Sequence, residues 1–198
     1  MSLNFKSLVS TRCLLKMLKL TFMLGVFLAM ISSSFANNYP ALRLGTPGYG
    51  GNGCPAGTAS VTIAPDQESL SIIFDQYISQ AGGPTHLSLD RKSCNVSIPI
   101  FVPNGYTISI FKIDYRGYVN IPRGGEGRFN VEYFFAGSRG QPYSKIWRGP
   151  EERNYTLTDT LAQGAMVWSA CGDSVNLRVN SSMVAKSNQN YDDVLATV

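Results

Sequence analysis

Histidine occurs once in the chain, at His86, close to Gly83-Pro84. A Ser-His-Asp relay needs a nucleophile on a sharp turn with an imidazole beside it, and the chain carries no nucleophile-elbow pattern. His86 therefore reads as a solvated loop residue. Carboxylates offer the next chemistry, because glycoside hydrolysis needs two acids at a fixed separation, one with a raised pKa. Asp75, Asp90, Asp114 and Glu132 are the candidates, since each falls in a strand pattern or at its end. Asp114 and Arg116, two apart on one strand, read more simply as a surface charge ladder. Asp90-Arg91-Lys92 reads as a turn cluster before Cys94. Calcium needs several oxygens from one or two loops. The acids here are spread out and adjacent only at Glu151-Glu152, placed in a loop over 149–154, and at Asp192-Asp193. No metal and no other cofactor is expected.

Aromatic rings give a more plausible functional surface. Tyr115, Tyr118, Tyr143, Trp147 and Trp168 supply amphipathic area for sugar rings or a protein partner at low entropic cost. Trp168, beside Met166 and near Cys171, reads as core. Trp147, next to Arg148 and a Gly-Pro turn, reads as the exposed ring. The expected binding surface is Asp114, Arg116, Tyr118, Tyr143 and Trp147.

The elements that must position these residues are strands. Val61 and Ile63 alternate with Ser60 and Thr62, and Leu70, Ile72 and Phe74 share one parity. The same period-two pattern recurs at Val96, Ile98, Ile100 and Val102, at Phe129, Val131, Tyr133 and Phe135, at Tyr155 and Leu157, and at Val175, Leu177 and Val179. It marks half-buried strands, and no window holds helical spacing over three turns. Pro65-Asp66 predicts a turn between the first two strands. Pro103-Asn104-Gly105 predicts a type I′ hairpin joining residues 94–102 to 106–116. Pro99 lies inside a strand pattern, so that strand is an edge there or bulges. Within 106–118 the apolar parity flips at Ile110-Phe111, which predicts a bulge or a crossing between sheets. The fold class is all-β, an antiparallel β-sandwich or jelly-roll-like domain of about eight or nine short strands.

The first 36 residues read as a leader. A basic start is followed by an uncharged run of twelve residues, Leu20 to Ile31, and by Ser34-Phe35-Ala36, with cleavage expected after Ala36. The run is shorter than the roughly 20 residues that span a bilayer, so no anchor is expected after cleavage. A Gly/Pro-rich arm over 37–57 and one domain over 58–198 complete the organisation. The chain carries a formal charge of +4, but Lys6, Arg12, Lys16 and Lys19 all lie in the leader. The remainder is neutral and has no electrostatic footprint for nucleic acid or anionic lipid. Cys13 leaves with the leader. Cys54, Cys94 and Cys171 remain, allowing at most one intrachain pair in three possible combinations and leaving one thiol over. Asn95-Val96-Ser97, Asn154-Tyr155-Thr156 and Asn180-Ser181-Ser182 match the N-glycosylation acceptor pattern.

Five segments then carry a resemblance. They are Gly51-Asn52-Gly53-Cys54-Pro55, Pro65-Asp66 with Phe74-Asp75, Asp90-Arg91-Lys92-Ser93-Cys94, Asp114-Tyr115-Arg116-Gly117-Tyr118 and Trp168-Ser169-Ala170-Cys171-Gly172. In order and spacing they resemble the secreted family named domain of unknown function 4360, from about Gly51 to the C-terminus. The resemblance implies export and a β-rich fold and brings no catalytic residue with it. Members of that family continue into a last strand ending in a fourth Cys, whereas this chain stops at Val198. The expectation is a domain lacking its final strand, with an open sheet edge that invites self-association. The leading functional expectation is a secreted, non-catalytic β-sandwich that binds an extracellular glycan, surface or protein. A small secreted hydrolase using strand-end carboxylates is the second reading, and a cell-surface or matrix structural protein the third.

Overall fold

The computed structural model describes residues 1–9, 42–66, 68–161, 167–169, 171–172 and 174–198. The expected cleavage point after Ala36 lies outside them. The described residues form two antiparallel sheets packed face to face. Sheet A runs β4 (Ala59–Ile63), β5 (Ser69–Phe74), β1 (Ser2–Val9), β8 (Tyr106–Ile121), β14 (Val194–Thr197) and β6 (Ile78–Ala81). Two further strands of this sheet, β11 (Glu151–Thr160) and β12 (Val167–Trp168), also pair with β8. Sheet B runs β10 (Gln141–Arg148), β9 (Glu126–Phe135), β13 (Ser174–Lys186), β7 (Leu89–Phe101) and β2 (Arg43–Leu44), with β3 (Gly48–Gly50) also on β7. The all-β sandwich is as expected, but the strands are more numerous and less uniform than eight or nine short ones. β7 and β13 span 13 residues each and β8 spans 16, because they continue through positions where the apolar period breaks.

Those breaks have physical causes. The pairing of β1 with β8 is Asn4↔Lys112 and then Phe5↔Ile110, so Phe111 is skipped. This bulge sits where the parity of the sequence flips. Its carbonyl is not idle, since Leu161 N–H donates to it at 2.9 Å. Pro99 falls between the short strands β2 and β3, and its carbonyl accepts from Gly45 N–H at 2.8 Å. In an antiparallel ladder a residue's nitrogen and carbonyl point the same way, so the missing N–H faces this broken edge and the ladder with β13 loses nothing. Pro65-Asp66 turns β4 into β5 as expected: Ala64 N–H donates to Ser69 O at 2.9 Å, and Glu68 N–H to the Asp66 carboxylate at 2.9 Å.

The expected hairpin of residues 94–102 with 106–116 does not form. The turn exists, with Tyr106 N–H on the Pro103 carbonyl at 3.1 Å, but β7 enters sheet B and β8 enters sheet A. Of the two central residues only Gly105 has positive φ, 86°. A type I′ hairpin requires positive φ at both, so this turn lacks the twist that would keep the strands paired.

Two of the family-like segments meet at one staple. Cys54 and Cys94 are disulfide-bonded and fully buried, tying the arm to β7. Asn52 clasps the same strand: its side-chain amide donates to Arg91 O at 2.9 Å and its carbonyl accepts from Ser93 N–H at 2.7 Å. Gly53 lies under the Tyr77 ring, where a Cβ would come within 2.5 Å of a ring carbon. The Tyr77 hydroxyl meets Ser181 Oγ at 3.0 Å, and Ser181 donates on to Cys94 O at 3.2 Å, linking the staple to β13. Gly117 has the same use on β8. It leaves room for the Tyr155 phenol, which crosses the strand to donate to the Thr197 carbonyl at 2.6 Å.

Cys171 is disulfide-bonded too, and no cysteine among the described residues is free. The expectation of at most one pair and a leftover thiol is made for the chain without its leader, which lacks Cys13.

The Cys54–Cys94 bridge closes a loop of 40 residues. Replacing both cysteines by Ser is expected to cost about 4 kcal/mol through the freed unfolded chain. Urea denaturation of the two forms checks this, and a loss under about 1 kcal/mol would show the arm to be held by Asn52 and Tyr77 instead.

Candidate functional site

The structure separates the residues singled out from the sequence. Asp114, Arg116 and Tyr118 alternate with the buried Ile113, Tyr115 and Val119, and so lie on the outer face of sheet A. Asp114 accepts from Thr158 Oγ1 at 2.6 Å and pairs with Lys112 at 3.3 Å. The Thr158 hydrogen bond, more than the two cations beside it, holds the Asp114 carboxyl below its ordinary range. Tyr118 donates to Glu152 at 2.8 Å, which raises the phenol's pKa. Glu151 and Glu152 belong to β11 rather than to a loop, and Glu151 pairs with Arg153.

Trp147 and Tyr143 point the other way. Trp147 is 1% exposed, tilted against Tyr155 at 4.7 Å, so it is core and not a surface ring. Tyr143 stacks on the buried Tyr115 at 5.4 Å. Trp168, read as core, is 38% exposed. The two tryptophans exchange roles because strand register, not neighbouring residue type, sets which face a side chain takes. The expected five-residue surface is therefore not one surface.

The four carboxylates do not converge either. Asp75 is exposed after β5. Asp90 is held by Ser79 Oγ and Gln80 N–H at 3.3 and 3.0 Å and pairs with Lys92 at 3.4 Å. Asp114 is on sheet A and Glu132 on sheet B, facing away from each other. His86 is exposed in a left-handed conformation at the end of a 3-10 turn, φ 52°.

What the fold does build is a shallow groove of about 370 Å³ on the outer face of sheet B. Two rows of side chains, polar except for Pro142, flank it, each crossing four strands in register. One row is Ser93, Ser182, Asn130 and Ser144; the other is Asn95, Asn180, Glu132 and Pro142. The floor between them is the backbone of Ser181, Val131 and Tyr143, whose partners in the row face the core. Arg91 adds a cation at one end. Ser144 and Asn130 bond each other at 2.9 Å, while the side chains of Asn95, Asn180 and Glu132 enter no hydrogen bond among the described residues. Each amide there offers donors and an acceptor in one plane. The sequence carried half of this signal in the outward parity of Asn95, Asn130, Glu132 and Asn180. The lateral register that aligns them came only with the structure.

Beneath the groove, tyrosines fill the space between the sheets. Tyr115 Oη and Trp147 Nε1 are buried without a hydrogen-bond partner among the described residues, and Tyr133 donates to Asp159 at 2.7 Å. Burial raises the pKa of Tyr115, Tyr133 and Tyr155, and pushes Tyr77 up to about 12.

This all-β sandwich with an uncommitted polar face is of a family shown directly by comparison. Residues 41–197 match the family described as Domain of unknown function (DUF4360), and the chain belongs to it. A protein of Arthroderma benhamiae described as an uncharacterized secreted protein is 39% identical over 136 residues, covering 68% of this chain. The match spans 56% of that relative's own length. The Cys54–Cys94 disulfide fits an oxidising, extracellular setting. No helix among the described residues is long and apolar enough to cross a membrane.

A tyrosine whose pKa is higher folded than unfolded keeps its proton while the unfolded chain loses it. Stability is then fully present below about pH 10 and falls as pH rises toward about 12, the folded value for Tyr77. Tyrosinate absorbance followed against pH is expected to show the exposed tyrosines titrating first and the buried set appearing only with alkaline unfolding. Titration of every tyrosine near pH 10 with the fold intact would contradict the packing.

Proposed function

We propose that the protein is secreted, its leader cut after Ala36, and that it binds carbohydrate in the groove on the outer face of sheet B without transforming it. The observation that carries this reading is the pair of rows, with Asn95, Asn180 and Glu132 free of hydrogen bonds among the described residues. Sugar hydroxyls donate and accept at once, and planar amides beside serine hydroxyls match that demand. The volume falls within the range of small-molecule sites, about 300–1,000 Å³. One Arg and one Glu leave the groove electrically balanced, which suits a neutral polyhydroxyl ligand better than nucleic acid or an anionic surface. Export is supported by the leader, by the disulfide and by the secreted relative.

The test is a glycan array probed with the folded protein, followed by titration of the best hit against Asn180→Ala and Glu132→Gln. Both side chains are on the surface, so melting temperatures are expected to stay within a few degrees while affinity falls at least tenfold. An array with no hit, or hits indifferent to both substitutions, would sink the reading.

A further inference from the structure

The strand β1 occupies a position that conflicts with the leader read from the same residues. It lies inside sheet A, not at its edge. On one side Ser2, Leu3 and Asn4 pair with Ser71, Leu70 and Ser69 of β5. On the other side Ser2 through Val9 pair with β8 from Asp114 back to Tyr106. Leu3 is fully buried in the core, packed among strands that include Leu70 and Ile113 opposite it. The Met1 nitrogen donates to Ile72 O at 3.0 Å, and Ile72 N–H returns a bond to Met1 O at 2.9 Å. Among the described strands, the β4–β5 hairpin reaches the rest of sheet A through β1 alone. A leader cut after Ala36 removes this strand from the domain. It would leave a gap one strand wide, bordered by two rows of backbone donors and acceptors and an apolar pocket where Leu3 sat.

We propose that the gap between β5 and β8 is a strand-acceptor site, which binds an extended peptide segment bearing an apolar side chain at the position of Leu3. β1 is its built-in occupant, displaceable by a segment of the same chemistry supplied from outside. Main-chain ladders on both sides provide affinity that depends little on sequence, and the Leu3 pocket provides selectivity, the division of labour found where peptides add strands to sheets. The bulge that skips Phe111 fixes the register, since it lets β8 keep both Ile113 and Ile110 in the core along one unbroken incoming strand. This site lies on the opposite sheet from the carbohydrate groove and stands or falls independently of it.

The experiment uses the full chain carrying Leu3→Asp, which expels its own strand, and a synthetic Met1–Val9 peptide labelled at its C-terminal end. The labelled peptide is expected to bind the Leu3→Asp chain saturably, and the unaltered chain, whose gap is filled, at least a hundredfold more weakly. A Leu3→Asp version of the peptide is expected to lose at least tenfold in affinity. Equal binding to both chains, or a folded Leu3→Asp chain (near-ultraviolet circular dichroism) that takes up no peptide, would overturn the proposal. Should Leu3→Asp fail to fold, amide exchange on the unaltered chain decides. The Ile72 amide, bonded to Met1 O, is expected to exchange at least tenfold faster than the β13 amides at the centre of sheet B. Exchange of both at one global rate would show β1 to be an inseparable part of the fold.

Discussion

The backbone of β8 must be hydrogen-bonded along both edges for sixteen residues, and the rest of sheet A is arranged to satisfy it. One edge is covered by β12 and β11 in succession, the other by β1 and then β14. Phe111 is the hinge of this arrangement. The bulge changes the face presented by β8, so Ile108 and Ile110 on one side of it and Ile113 and Tyr115 on the other all reach the same core. Without the bulge, one half of the strand would turn its apolar residues to solvent. The staple of Cys54, Cys94, Tyr77 and Ser181 then fixes sheet B against this frame, and the polar groove follows from the register of four of its strands.

Much of this was legible in the residues. The parity flip at Ile110-Phe111 announced the bulge, Pro99 announced a broken edge, and Pro65-Asp66 announced the β4–β5 turn. Each is a local signal, set by side-chain sterics or a missing donor, and local signals survive without tertiary context. The hairpin at Asn104-Gly105 failed for a related reason. The same dipeptide supports a turn that closes a hairpin and a turn that passes a chain from one sheet to the other, and only the φ angle at Asn104 separates them.

The site was less legible because it depends on register between strands distant in sequence. Asn95, Asn180, Glu132 and Pro142 become neighbours across four strands, and no local pattern encodes that alignment. Trp147 and Trp168 were assigned by the company they keep in sequence. Pairing of Trp147 opposite Gly127 instead turns its ring into the interior, onto Tyr155. The segment Ser2–Val9 was hidden by composition: a basic start before an apolar run reads as a leader whatever ladder it can join. Three of the five family-like segments now have physical roles, as a clasp at Asn52, a ring seat at Gly53, a disulfide at Cys94 and a crossing point at Gly117. They account for much of the fold, and only Arg91 and Ser93 among them reach the groove on sheet B.

The most direct test of this account is the structure of the protein as it is recovered from culture medium, with its first residue sequenced. The account predicts a chain beginning at Asn37 in which β5 and β8 stay one strand apart, the gap either filled by an extended segment or open. Direct hydrogen bonding of β5 to β8 across the place of Leu3 would contradict it.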